Sequence, residues 1–175
     1  MTDVGAASVH ASAVLVGDCA VLIRGPSGAG KSRLAFELIL AGRSGQVPPA
    51  VLVGDDRVHL LACDGQLLVQ PAPQLAGLIE IRGLGIRRCD FIAQAAVGLV
   101  VDLAAVDAER LPPPEALQTS IQGVKIPRIP VESGFLALPV VAAALTTTEG
   151  TGTTPLSTDC VKGISNHMRP SIATE

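Results

Sequence analysis

Along the chain, apolar residues fall into short runs rather than long periodic stretches. The runs 13–16, 20–23, 51–53 and 67–69 hold three or four residues each, with Val and Ile prominent, and are bounded by Gly, Asp or Pro. Runs of that length and punctuation predict β-strands. Residues 97–102, Val97-Gly98-Leu99-Val100-Val101-Asp102, read as a further buried strand closed by an acid. After Lys31 the pattern changes: Leu34, Phe36, Leu38, Ile39 and Leu40 form a broad apolar stripe, which predicts a helix with Gly42 as its stop. Residues 111–117, Leu-Pro-Pro-Pro-Glu-Ala-Leu, predict a rigid connection. From 121 to 131 apolar residues alternate with Lys125, Pro127, Arg128 and Pro130, which predicts an edge strand. Residues 137–145 predict a short helix. A strand, a Gly-rich turn, a helix and a further strand make one βαβ-type unit, so the class is α/β. The domain reading is a loose lead-in over 1–9, one domain over 10–145, and a Thr-, Gly-, Ser- and Pro-rich segment over 146–175 expected to be disordered.

Composition narrows this picture. The 175 residues suit one domain, with 48% hydrophobic and 17% charged residues, three Phe and neither Tyr nor Trp. The core must be aliphatic and Ala-rich. A mainly disordered chain is excluded, and a single-strand nucleic-acid platform, which stacks bases on aromatic rings, is disfavoured. The spaced signatures of a two-lobed protein kinase are missing. A formal net charge of −3 provides no global basic field for nucleic acid or an anionic membrane, so an anionic ligand must be gripped locally. Cys19, Cys63, Cys89 and Cys160 form no C-x-x-C pair and have no His at zinc-ligand spacing, so they read as free thiols in a reducing compartment. With no signal-type leader and no apolar run long enough to span a membrane, the expectation is a cytoplasmic protein.

Candidate chemistry is concentrated in three places. Gly25-Pro26-Ser27-Gly28-Ala29-Gly30-Lys31-Ser32 is a complete G-x-x-x-x-G-K-[ST] match. Its glycines let the backbone wrap a polyphosphate, successive N–H groups make an anion nest at a helix N-terminus, Lys31 adds a point charge, and the Ser32 hydroxyl can ligate Mg²⁺. It follows an apolar strand and opens the helix, as a nucleotide-binding P-loop must. The bland reading is a Gly-rich turn that contains Lys by chance.

The second place is Asp55-Asp56 at the end of the run 51–53. Ligands of open α/β sheets bind beyond the carboxyl ends of strands, so one Asp could support Mg²⁺ while the other takes a proton from an incoming hydroxyl. An Asp-rich turn is the alternative. The third is the stretch 77–86, in which Glu80 and Arg82 are two apart and share a face if the segment is extended. They could offer a metal carboxylate and a phosphate contact side by side, or only a surface ion pair.

Residues 10–131 resemble the catalytic domain of the HPr kinase/phosphorylase family, bacterial enzymes that phosphorylate a serine of the phosphocarrier protein HPr. The resemblance rests on His10 fifteen residues before Gly25, on the P-loop, on Asp55-Asp56, on Ile79-Glu80-Ile81-Arg82-Gly83-Leu84-Gly85-Ile86, and on Ile121-Gln122-Gly123-Val124-Lys125-Ile126-Pro127. It implies an α/β P-loop domain similar to phosphoenolpyruvate carboxykinase, using ATP and Mg²⁺. It implies that Lys31 and the P-loop hold the phosphates with Arg82 nearby, and that Ser32 and Glu80 support the metal. Asp56 is implied as the base, and as the acid in reverse phosphorolysis, with Asp55 as its support or with the two roles exchanged. His10 would orient that carboxylate, and Arg110 falls near where the family places a catalytic arginine. The implied partner is HPr or a paralogous phosphocarrier, in a homo-oligomer that is hexameric in the family.

Two departures stand out. The sequence begins nine residues before His10, where the common family type carries a separate N-terminal domain. Val131 is followed by Glu132-Ser133-Gly134-Phe135-Leu136 in place of a Pro-Gly-Arg-Asn loop, which the family links to dephosphorylation and subunit contacts. The expected activity is therefore protein serine kinase first and phosphorylase second. The readings from other classes are a nucleotide-sensing module that transfers no phosphate, and a small-molecule kinase on a similar scaffold.

Overall fold

A computed structural model of the chain describes residues 7–148 and residue 150. The elements in chain order are β1 (Ala7–Val9), β2 (Ser12–Val16), β3 (Cys19–Arg24), α1 (Lys31–Arg43), β4 (Ala50–Gly54), β5 (Val58–Cys63), β6 (Gln66–Pro71), β7 (Leu78–Ile81), β8 (Gly85–Arg88), β9 (Ala95–Leu103), β10 (Gln118–Ile121), β11 (Val124–Val131) and α2 (Ala137–Thr146). The fold is mixed α/β, as the patterning predicts.

The long strand β9 is the spine. One of its edges pairs in parallel with β3, which places Arg24 opposite Asp102. Its other edge is shared: Ala95 and Ala96 pair with β6, and Val100 to Leu103 pair in parallel with β11. The sheet then runs β1-β5-β6-β9-β3-β2-β4, with β10 joined to β11. Because β3, β9 and β11 are parallel, their carboxyl ends come to one edge. The P-loop follows the first, residues 104–117 the second and residues 132–136 the third.

Along β3, Val21 and Ile23 face one apolar cluster while Ala20 and Leu22 face another, and all four are fully buried. The first cluster lies under the helices, where Leu34 and Leu38 of α1 and Val141 of α2 meet Val14, Leu52 and Leu99. The second gathers Leu60, Leu67 and Val69 of the outer strands over Ala13, Leu22 and Val53. A central strand covered on both faces needs a continuous apolar run, which is what residues 20–23 supply.

Several expectations change. The edge strand read over 121–131 is two strands joined by the turn Gln122-Gly123, both with positive φ (50° and 81°), and β11 lies between β10 and β9. Two-residue turns of this kind favour φ > 0 at both positions, a signal hidden by the alternation around it. Each half of β11 pairs with a single neighbour, which leaves unpaired edge for the nitrogens of Pro127 and Pro130. The end of the loose lead-in is a strand, since Ala7 to Val9 pair with Leu60 to Val58 of β5. Residues 1–6 and 151–175, which contain most of the lead-in and tail, lie outside the described residues. The strand β5 and the β7–β8 hairpin are additions that the run pattern does not predict.

Leu38 is fully buried between α1 and the sheet. Leu38→Ala is expected to cost about 2–5 kcal/mol of unfolding free energy in a urea titration. A loss below about 1 kcal/mol would mean that α1 is not packed as described.

Candidate active site

The P-loop is shaped by where β3 ends. Gly25 sits against the end of β9, where a Cβ would come within 2.9 Å of the Leu103 carbonyl oxygen, at a φ of 150°. Only glycine fits there. Gly28 and Gly30 also have positive φ, and a Cβ on either would meet nothing within 4 Å, so the inner side of the loop is open. Helix α1 starts at Lys31 with Gly30 as N-cap, no side chain caps it, and its first turn carries no acid. Its opening N–H groups have no acceptor within the helix, and together with the loop amides they form an anion-binding end. Lys31 is only 6% exposed and its Nζ donates to the carbonyls of Gly25 (2.9 Å) and Pro26 (3.1 Å), so it lies folded back along its own loop.

The facing wall is hung on one buried carboxylate. Asp55, 3% exposed, accepts from the Ser12 hydroxyl at 2.5 Å through Oδ1 and from the Glu80 backbone N–H at 3.0 Å through Oδ2. Ser12 itself is fully buried at the start of β2. With Asp55 held inward, the next residue takes a left-handed φ of 65°, rare outside glycine, and Asp56 is exposed. Its Oδ1 lies 3.1 Å from Nε2 of His10, on the β1–β2 connection.

These walls enclose a cavity of about 650 Å³. It is lined by His10, by Ser27 to Ser32, by Asp56 and by Glu80 and Arg82, so the structure gathers most of the predicted residues. Three predictions fall elsewhere. Asp55 stands behind the wall with both oxygens engaged, so it supports the site from within the fold. Gly25 and Pro26 form the back of the P-loop, giving their carbonyls to Lys31. Arg110 is exposed in the segment after β9 and is not part of the lining. One local expectation is corrected: Arg82 does not continue the extended segment of Glu80 but sits in the turn between β7 and β8, closed by the Leu84 N–H on the Ile81 carbonyl.

Sequence reasoning missed the wall from α1, formed by Arg33, Phe36 and Glu37, in which Arg33 and Glu37 pair at 2.8 Å across one helical turn. The i, i+4 spacing was the available signal. It also missed Ser12, whose single hydroxyl carries no motif. A third omission is an ion cluster at the strand ends. Arg24 donates twice to Asp102 at 2.7 Å, and Arg128 of β11 donates to the same carboxylate at 2.6 Å. Burial pushes the Asp102 carboxyl up, but the hydrogen bonds from Arg24 and Arg128 outweigh it and hold the group below its ordinary value.

Comparison with known proteins places this geometry. The family model described as HPr Serine kinase C-terminal domain matches residues 4–154. An HPr kinase/phosphorylase of Limosilactobacillus reuteri (strain DSM 20016) is 37% identical over 153 residues, covering 79% of this chain and 45% of the relative. One from Streptococcus thermophilus (strain ATCC BAA-491 / LMD-9) is 38% identical over 152 residues, covering 78% and 46%. The chain thus spans about half the length of the curated relatives it matches. A solved structure, that of the Hpr(Ser) kinase/phosphatase from Coxiella burnetii, is similar with a TM-score of 0.63 and 27% identity, covering 79% of this chain and 93% of that one.

Two measurements test the supports of the site. Ser12→Ala removes a donor from a buried carboxylate, and urea unfolding should show a loss of about 1.5–3 kcal/mol. A loss below about 0.5 kcal/mol would contradict the bond. For Asp102, the folded carboxyl titrates below the ordinary carboxylate value of 3.8, so its stabilisation is complete above that pH and is lost as pH falls through the lower folded value. The stability gap between wild type and Asp102→Asn is therefore expected to be constant near neutrality and to shrink below pH 3.8; a gap that widens in acid would reverse the sign.

Proposed function

Because the chain belongs to the HPr serine kinase C-terminal domain family, we propose that it is an ATP- and Mg²⁺-dependent protein serine kinase whose acceptor is HPr or a paralogous phosphocarrier. The observation that carries this reading is the convergence, in one cavity, of the P-loop with Lys31 and Ser32, the His10–Asp56 pair and Glu80. Its volume falls within the usual range for a small-molecule site of roughly 300–1,000 Å³. The P-loop fold of the phosphoenolpyruvate carboxykinase kind, a homo-oligomeric state and a cytoplasmic location belong to the same proposal. No helix among the described residues is long and apolar enough to cross a membrane.

The donor set fits Mg²⁺ rather than a metal caged by protein alone. Among the described residues no cluster of three His, Cys, Asp or Glu could hold an ion, but Ser32 and Glu80 line the same cavity. Mg²⁺ characteristically takes one or two protein oxygens and completes its shell with phosphates and water. When bound it would neutralise phosphate charge. The rest is the work of this chain's own residues. Lys31 leaves the Gly25 and Pro26 carbonyls to meet a phosphate, and the amides of the loop and of the first turn of α1 hold the others. Asp56, held by His10, accepts the proton of the acceptor serine as its oxygen bonds to the γ-phosphorus and the bond to the ADP oxygen breaks. Phosphoryl transfer leaves little covalent chemistry to a protein, so positioning and charge neutralisation do most of it. In reverse phosphorolysis Asp56 would return the proton; the segment 132–136, without a Pro-Gly-Arg-Asn loop, makes the kinase direction the principal one.

Asp56→Ala is expected to lower the rate of labelled phosphoryl transfer to HPr by about 10²–10⁴-fold, while the dissociation constant for Mg²⁺-ATP stays within about 3-fold. Lys31→Ala should damage both transfer and binding. An Asp56→Ala protein that transfers at the wild-type rate would refute the assignment of the base.

A further inference from the structure

Residues 104–117 pass from β9 to β10 along the edge that carries the P-loop, and none of them is buried. Val106 is fully exposed and Leu111 is 83% exposed, so apolar packing does little to hold this segment. Apart from the Ala105 N–H on the Val131 carbonyl at its start, the polar contacts that tie it to the sheet come from one guanidinium. Arg128, 13% exposed on β11, donates from Nη1 and Nη2 to the two oxygens of Asp107 at 2.7 and 2.9 Å, and from Nη1 to the Ala116 carbonyl at 2.9 Å. Those contacts fall on both flanks of Arg110. The third guanidinium nitrogen, Nε, donates to Asp102 at 2.6 Å.

Asp102 carries the connection onward. It is the penultimate residue of β9, the strand next to and parallel with the P-loop strand, and P-loop proteins commonly hold Mg²⁺ with an Asp outside the loop. Here its two oxygens are taken by Arg24 and Arg128, so it serves as a strut, and the metal-directed role in the reading above falls to Glu80 in the cavity lining. Arg24 directly precedes Gly25, which lies so near Leu103 of β9 that a Cβ on it would come within 2.9 Å of the Leu103 carbonyl oxygen.

We propose that Arg128 is a positioning residue: it anchors the 104–117 segment around Arg110 and, through Asp102 and Arg24, couples that segment to the P-loop, so that the two are held in one register at the same sheet edge. This rests on the phosphoryl-transfer reading above. A planar fork bonding two carboxylates and a carbonyl cannot be replaced by an ammonium, which is a point donor on a flexible stem.

The test is tryptic cleavage after Arg110, read by mass spectrometry on the full chain without nucleotide, alongside transfer kinetics. In Arg128→Lys, cleavage after Arg110 is expected to accelerate about 10-fold, kcat to fall about 10-fold, and KM for ATP to stay within about 2-fold. Asp102→Asn, which removes a group that does not touch the segment, should accelerate the same cleavage. Should Arg128→Lys fail to fold, Asp107→Asn removes only the acceptor on the segment and must act in the same direction. Unchanged cleavage in a folded Arg128→Lys or Asp107→Asn protein overturns the anchor, and unchanged cleavage in Asp102→Asn overturns the coupling. Faster cleavage with unchanged kcat overturns the positioning role. Since cleavage is read without nucleotide or acceptor, a wild-type chain that transfers no phosphate would refute the kinase reading and leave the anchor to be judged by cleavage alone.

Discussion

The Asp55 carboxylate is the constraint on which the site depends. A carboxylate taken out of water costs several kcal/mol unless hydrogen bonds replace the solvent, and here the replacements come from Ser12 and from the Glu80 backbone. Satisfying one buried group thus fixes three segments far apart in sequence. Ser12 lies two residues after His10, Asp55 one before Asp56, and the Glu80 amide belongs to the residue whose carboxylate faces the cavity. The side chains of His10, Asp56 and Glu80 owe their relative placement to a group that none of them touches directly. The left-handed backbone of Asp56 is part of the same arrangement, since a chain that turns Asp55 inward must reverse to send its neighbour outward.

The sheet supplies the second half of the site. Parallel pairing of β3 and β11 against β9 brings three loops to one edge, the general position for ligands in open α/β sheets. The P-loop is fitted to that edge by the close approach of Gly25 to Leu103 and by the Arg24–Asp102 pair. The antiparallel strands β2 and β4, on the far side of β3, carry the Asp55 wall towards it. Mixed pairing is therefore what lets the loop 25–32 and the wall carrying His10, Asp56 and Glu80 face each other across one cavity.

How much of this was legible in the sequence depended on whether local chemistry or tertiary pairing decided the outcome. The strands around 13–16, 20–23 and 51–53, the helix after Lys31 and the P-loop all declare themselves locally, through run length, glycines and the helical stripe. Asp56 and Glu80 stand in candidate stretches, but His10 and the separate roles of all three were reached only through the family resemblance; the structure brings the three together with the P-loop. What stayed hidden was set by pairing. Nothing local separates β10 from β11, because a Gln-Gly turn interrupts an alternation that continues on both sides. Asp55 and Asp56 are equivalent on paper, and only the burial of one and exposure of the other distinguishes them. Arg128 reads as a charge between prolines, yet its partners Asp102 and Asp107 are 26 and 21 residues away.

The central claim is that this cavity transfers a phosphoryl group and does more than bind a nucleotide. The most direct measurement incubates the unmodified chain with Mg²⁺ and γ-labelled ATP in the presence of HPr, and locates the label by peptide mapping. The account predicts label on a serine of HPr, dependent on Mg²⁺. Saturable nucleotide binding with no label on HPr or on any paralogous phosphocarrier would contradict it.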